Sequence, residues 1–169
     1  LIGYHVPEIK HKDSPVLELI SLILTDGQTS RLYKKLVEKK IALYIYSNTS
    51  PSDKYPRLFF FNSAPNSPYS CFDIEKIIFN EVENLKIKGA TDNEIQKAKN
   101  KFNTNIYRQM YTNGGFADYL GYFDCITSDW SFIKTYIDDV AKVTNNEIIE
   151  VAKKYFNEEN LIIAQLQKK

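Results

Sequence analysis

With 169 residues, 22 basic and 21 acidic side chains and a net charge of +1, the chain suits one domain and carries no global field to collect nucleic acid. Hydrophobic residues make up 43% and charged residues 25%, ordinary for a folded globular chain, so the plentiful Tyr and Phe are expected to fill a core. Cys71 and Cys125 lack Cys-x-x-Cys spacing, which excludes a disulfide framework and a cysteine zinc site and leaves one bridge open; no apolar run approaches the roughly 18 residues of a membrane helix.

The elements follow in order. Ile2, Tyr4 and Val6 alternate with Leu1, Gly3 and His5, a period-two strand closed by Pro7. Ser14 is a candidate N-cap, Pro15 suits the first helical position, and Val16, Leu17, Ile20, Ile23 and Leu24 make the apolar stripe of a first helix. Gly27 is expected to end it as a left-handed C-cap, in preference to an Asp26-Gly27 hairpin, because the flanks lack strand alternation. Thr29 or Ser30 would cap a second helix with Leu32, Tyr33, Leu36 and Val37 inward and Lys39-Lys40 at its end. The segment 41–47 is β-rich and 48–56 a polar turn region; 57–64, around Leu58-Phe59-Phe60-Phe61, is expected to be a central strand covered on both faces.

Beyond Pro65 the chain turns helical. A helix over 73–88 stops at Gly89, and Thr91-x-x-Glu94 is a capping box opening a long helix through Met110. Gly114-Gly115 is expected to break that helix before a short one carrying Phe116, Leu120 and Phe123. Trp130, Ile133, Ile137 and Val140 mark another helix, Thr144-x-x-Glu147 caps a last one, and 160–167 closes the chain as a strand. Strands gathered early and helices late imply an α+β fold: an antiparallel or mixed sheet with helices layered on a face, over a single domain spanning 1–169. The chain opens on Leu with a strand at once, and is expected to be a fragment of a longer polypeptide.

Catalytic groups are sparse. His5 and His11 stand six apart with Pro7 between and no ligand-spaced Glu or Cys. No inverted or direct zinc-peptidase motif, phosphate loop or nucleophile elbow occurs. Asp138 and Asp139 point about 100° apart on a helix and suit a solvated face. Catalytic and metal-ligating residues are therefore expected to be none in this chain.

Three segments then combine into a resemblance. Asp-Gly-Gln-Thr-Ser-Arg-Leu-Tyr-Lys-Lys-Leu-Val-Glu-Lys-Lys-Ile-Ala (26–42), Gly-Ala-Thr-Asp-Asn-Glu-Ile-Gln-Lys-Ala-Lys (89–99) and Val-Thr-Asn-Asn-Glu-Ile-Ile-Glu-Val-Ala-Lys-Lys-Tyr-Phe (143–156), with the opening Gly-Tyr-His-Val-Pro, are similar to the pitrilysin/insulinase-like zinc metallopeptidases, which include the mitochondrial processing peptidase. The resembling part is the C-terminal domain that follows the zinc-binding domain. The resemblance implies homologous α+β domains paired into halves around a peptide chamber, with zinc bound in the upstream domain and no cofactor in this fragment. The partners it implies are that upstream zinc-binding domain, a second homologous half, and a peptide substrate. It also implies an Arg and, seven residues later, a Tyr that hold substrate in the non-metal half. Here the Tyr position falls on Tyr44, the one candidate substrate-binding residue, and the Arg position on Val37. Val37 cannot donate a hydrogen bond to a peptide carbonyl, and Arg31, within Ser-Arg-Leu, is expected to serve packing or an inter-domain contact. The leading expectation is a non-metal-binding domain supplying chamber wall; the alternative is a domain of a catalytically inactive, structural subunit.

Overall fold

The computed structural model describes residues 1–166. Its order is β1 (Ile2–Val6), α1 (Ser14–Thr25), a π-helical turn (Tyr33–Val37), β2 (Ala42–Ser50), β3 (Arg57–Pro65), α2 (Cys71–Lys88), α3 (Asp92–Gln109), α4 (Asn113–Thr127), α5 (Phe132–Lys142), α6 (Asn145–Tyr155) and β4 (Leu161–Ile163). The four strands form one antiparallel sheet in the order β2-β3-β1-β4. The fold is α+β, and the antiparallel alternative holds. Gln167, the last residue of the expected closing strand, lies outside the described residues.

One sheet face carries the core. Ile2, Tyr4, Val6, Ile45, Phe59 and Phe61 are buried, and Tyr4, Phe59 and Phe156 pack ring against ring at 5.0 and 5.1 Å. A fully buried side chain of this size is worth about 1.5–3 kcal/mol over an exposed one. α1 sits deepest among the helices: Val16, Leu17, Leu19, Ile20, Ile23 and Leu24 are all buried, because it packs against β2, α3, α5 and α6 at once.

Several local expectations change. Ser14 does not cap α1: Asp13 holds the N-cap position, its carboxylate accepting Lys154 Nζ and the Tyr155 hydroxyl rather than a helix N–H, and the buried Ser14 hydroxyl instead accepts Arg57 Nη2 at 2.9 Å. A buried guanidinium left without that acceptor would carry the full desolvation cost of an unmade bond. The second helix is a single π turn, with Glu38 N–H on Tyr33 O at 3.0 Å and Ile41 N–H on Leu36 O at 2.8 Å. Leu32 and Leu36 are fully buried, and tertiary packing overrides the helical propensity of the run. Neither Thr29 nor Ser30 caps it; Ser30 donates to Gly27 O at 2.8 Å.

β3 is interior but not covered on both faces: Phe59 and Phe61 are buried while Leu58 and Phe60 are half-buried. β2 runs on to Ser50, further than the β-rich segment suggested. α2 opens earlier, at Cys71, under a Ser70/Asp73 capping box. The break after α3 falls at Met110–Thr112 rather than at Gly114-Gly115. Those glycines lie in the first turn of α4, where Thr112 Oγ1 accepts Gly115 N–H at 3.1 Å. Trp130 precedes α5 and is half exposed. The boxes at Thr91/Glu94 and Thr144/Glu147 form as expected, and Gly27 (φ 86°) closes α1 in the left-handed region.

Candidate functional site: the outer face of the sheet

Period-two alternation sends every second strand residue to the face away from the helices. In register, Tyr44 lies opposite Ala64, Tyr46 opposite Asn62, and Asn48 opposite Phe60, while Gly3 and His5 of β1 lie opposite Phe60 and Leu58. Tyr44 and Tyr46 stack at 5.9 Å and are 44% and 45% exposed; Tyr46 meets Phe60 edge-on at 6.1 Å. A register shift between Ala42 and Tyr44 marks a bulge at Leu43, which leaves Leu43 exposed beside them. β2 is an edge strand, so its outer edge also presents backbone groups to a partner strand.

The Tyr44 hydroxyl reaches Asn62 Oδ1 at 3.3 Å, a long and exposed contact. Its ring also lines a recess of about 360 Å³ with Asn62, Ala64, Ile74 and Leu166. Tyr46 and Phe60, the rings that extend Tyr44 into a patch, were missed in sequence. Their signal is the odd-even alternation through β2 and β3, usable only once the register is known.

Val37 lies in the π turn, partly buried against the core. Arg31 is committed elsewhere: Nε and Nη2 donate to the two Glu94 carboxylate oxygens at 2.7 and 2.8 Å, Nη2 also to Gly89 O at 2.9 Å, and Nη1 to Glu81 at 3.3 Å. Lys35 joins the same Glu81. Arg31 therefore clamps the π turn to the ends of α2 and α3, the packing role among those expected.

The residues present do not fit a zinc site. His5 is exposed on the outer face of β1, whereas His11 Nδ1 accepts the Asp13 N–H at 3.1 Å. No group of three or more His, Cys, Asp or Glu is placed to hold a metal among the described residues. Cys71 and Cys125 are free thiols, and Asp138 and Asp139 are exposed on α5. Among the described residues no helix is long and apolar enough to cross a membrane.

Fold and surface together define a helix-backed α+β domain with no metal-ligating cluster among the described residues. Residues 1–102 match the family described as the peptidase M16 inactive domain, and the chain belongs to that family. It is 30% identical over 163 residues to the zinc protease PqqE of Helicobacter pylori, an alignment covering 93% of this chain and 35% of PqqE. A protease structure from Helicobacter pylori superposes with a TM-score of 0.86 at 24% identity, over 95% of this chain and 38% of that one. The inactive peptidase domain of a Bordetella parapertussis protein superposes with a TM-score of 0.82 at 20% identity, over 95% and 87%. The chain thus spans little more than a third of the curated relative and of the first of these structures.

Proposed function

We propose that this chain is the downstream, non-metal-binding domain of a zinc endopeptidase, and that it builds one wall of a peptide chamber with the outer face of its sheet. The carrying observation is the aromatic patch of Tyr44, Tyr46 and Phe60 on a sheet backed by helices on its other side. A flat, half-apolar surface beside an edge strand suits an extended peptide, which uses main-chain hydrogen bonds for affinity and side-chain contacts for selection. Resemblance to a zinc protease supports placing the metal chemistry in the preceding domain of the same polypeptide. A second homologous half would close the chamber. Tyr44 acts here through its ring and its place on the wall, since its Arg counterpart is Val37.

The test uses the full-length protein. Tyr44→Ala and Tyr46→Ala are expected to raise KM for peptides by about threefold to tenfold with kcat nearly unchanged, the mark of lost uniform binding. Tyr44→Phe is expected to leave both constants alone. Unchanged KM in both alanine variants removes the substrate-facing reading. If the full-length protein shows no chelator-sensitive cleavage and lacks His-x-x-Glu-His upstream, the inactive structural subunit is the correct assignment.

A further inference from the structure

α1 contains one ionisable side chain, Glu18, half-buried in a mostly apolar helix. Its carboxylate has no hydrogen-bond or ion-pair partner among the described residues. It opens on two adjoining cavities: one of about 590 Å³ beneath β2, and one of about 440 Å³ between the β2–β3 connection and helices α4 and α5. Both lie within the roughly 300–1,000 Å³ usual for small-molecule sites.

The second cavity is unlike an ordinary surface dimple. Arg57 lines it and is more than nine-tenths buried, but its charge is already matched: it pairs with Asp53, donates to Ser14 Oγ at 2.9 Å, and keeps only Nε unpartnered. Asp53 in turn also receives the Tyr122 hydroxyl. Glu18 thus feels Arg57 only at a distance and is the carboxylate of the cavity that no hydrogen bond or ion pair engages among the described residues. Around it stand Tyr119, Tyr122, Phe123 and Tyr136, with Tyr119 and Tyr122 each edge-on to Phe123 at 5.1 and 5.4 Å. Desolvation raises the Glu18 pKa, partly offset by Arg57; burial and the nearby Glu18 push the Tyr119 hydroxyl up to about 12.

We propose that this cavity binds an organic cation, an ammonium or guanidinium group on an aliphatic stem, with the charge on Glu18 and the stem against the tyrosine rings. The unpaired carboxylate disfavours an anion, and one carboxylate without further ligands disfavours a metal ion. Aromatic faces carry negative potential and add to the attraction for a cation. The cation has two possible sources, a basic peptide side chain and a free small amine, and they share this chemistry. The site does not depend on the peptidase reading.

The experiment follows the Glu18 carboxyl carbon by NMR in the isotope-labelled chain, titrated with butylammonium, with butylguanidinium, and with 1-butanol as the neutral match. Saturable shifts at Glu18, Tyr119 and Tyr122 are expected with the cations and not with butanol. The Glu18 pKa is expected to fall when the amine is bound. Glu18→Gln, which keeps the shape, is expected to weaken butylammonium binding by about tenfold, the worth of one charge-assisted hydrogen bond. A blocked lysine peptide binding more tightly than butylammonium identifies the peptide source; equal or weaker binding identifies a free amine. Butanol binding as well as the amine, an unmoved Glu18 signal, or an unchanged Glu18→Gln affinity overturns the proposal. The wild-type carboxyl titration needs no variant, so a folding failure of Glu18→Gln leaves the test intact.

Discussion

Arg31 and Glu94, 63 residues apart, form a bidentate pair with Nε–Oε1 and Nη2–Oε2 distances of 2.7 and 2.8 Å. The same Glu94 carboxylate accepts Thr91 N–H at 2.8 Å, so the capping box of α3 and the anchor of the π turn share one side chain. One carboxylate thereby fixes where α3 begins and where the π turn sits.

Arg31→Lys is expected to cost about 2 kcal/mol, because an ammonium cannot reproduce the fork and leaves the buried Glu81 and the Gly89 carbonyl under-satisfied. The Arg31 fork, ahead of the Thr91 bonds and against desolvation, holds the Glu94 carboxyl at about 2, below its usual 4.5. With the folded value depressed, the stabilisation is fully present above the unfolded pKa and is lost as pH falls from about 4.5 toward 2. Denaturant unfolding between pH 6 and 3 should therefore show a shallower acid loss in Arg31→Lys than in the wild type. Parallel curves would remove the pair from this account.

Ser14→Ala and Thr144→Ala separate a false cap from a real one. Thr144 accepts Glu147 N–H, and its loss should cost about 1 kcal/mol. Ser14→Ala strips an acceptor from the buried Arg57, and about 1–3 kcal/mol is expected. The Ser14→Ala cost should largely vanish in an Arg57→Met background; a cost that persists unchanged there would restore the capping role.

Gly89 has φ 67°, and a Cβ built there would lie 2.0 Å from Asn145 Oδ1, the atom that accepts Ala90 N–H at 2.7 Å. Gly89→Ala is expected to destabilise by about 1–3 kcal/mol through left-handed strain and displacement of Asn145. If Asn145→Ala suppresses most of that cost, the clash is its main origin. An equal cost in both backgrounds assigns it to backbone strain alone.

Zinc should not stabilise this chain. A tenfold excess is expected to leave the thermal midpoint unchanged, since tight binding to the native state alone would add about RT ln(1 + [L]/Kd). A saturable rise in midpoint, reversed by chelator, would show a site that His5 and His11 do not explain.

What could be read from sequence was whatever depends on neighbours along the chain. The strand 2–6, the boxes at Thr91 and Thr144, the left-handed Gly27 and the ordered segments behind the family resemblance all rest on local hydrogen bonds, periodicity or spacing. Ser14 looked like a cap because its competitor for the hydroxyl, Arg57, comes 43 residues later. The π turn escaped because the burial of Leu32 and Leu36 and the ties of Arg31 to α2 and α3 are tertiary. Tyr44 could be picked out, but its patch with Tyr46 and Phe60 required the β2–β3 register. Glu18 stood in plain view as a lone charge in a mostly apolar helix, yet only the packing of α4 and α5 makes a cavity onto which its carboxylate opens without a hydrogen-bond partner among the described residues. Sequence by itself determined most elements and the family, because propensity and pattern act over a few residues; the π turn and the partners of surfaces and charges were decided by long-range packing.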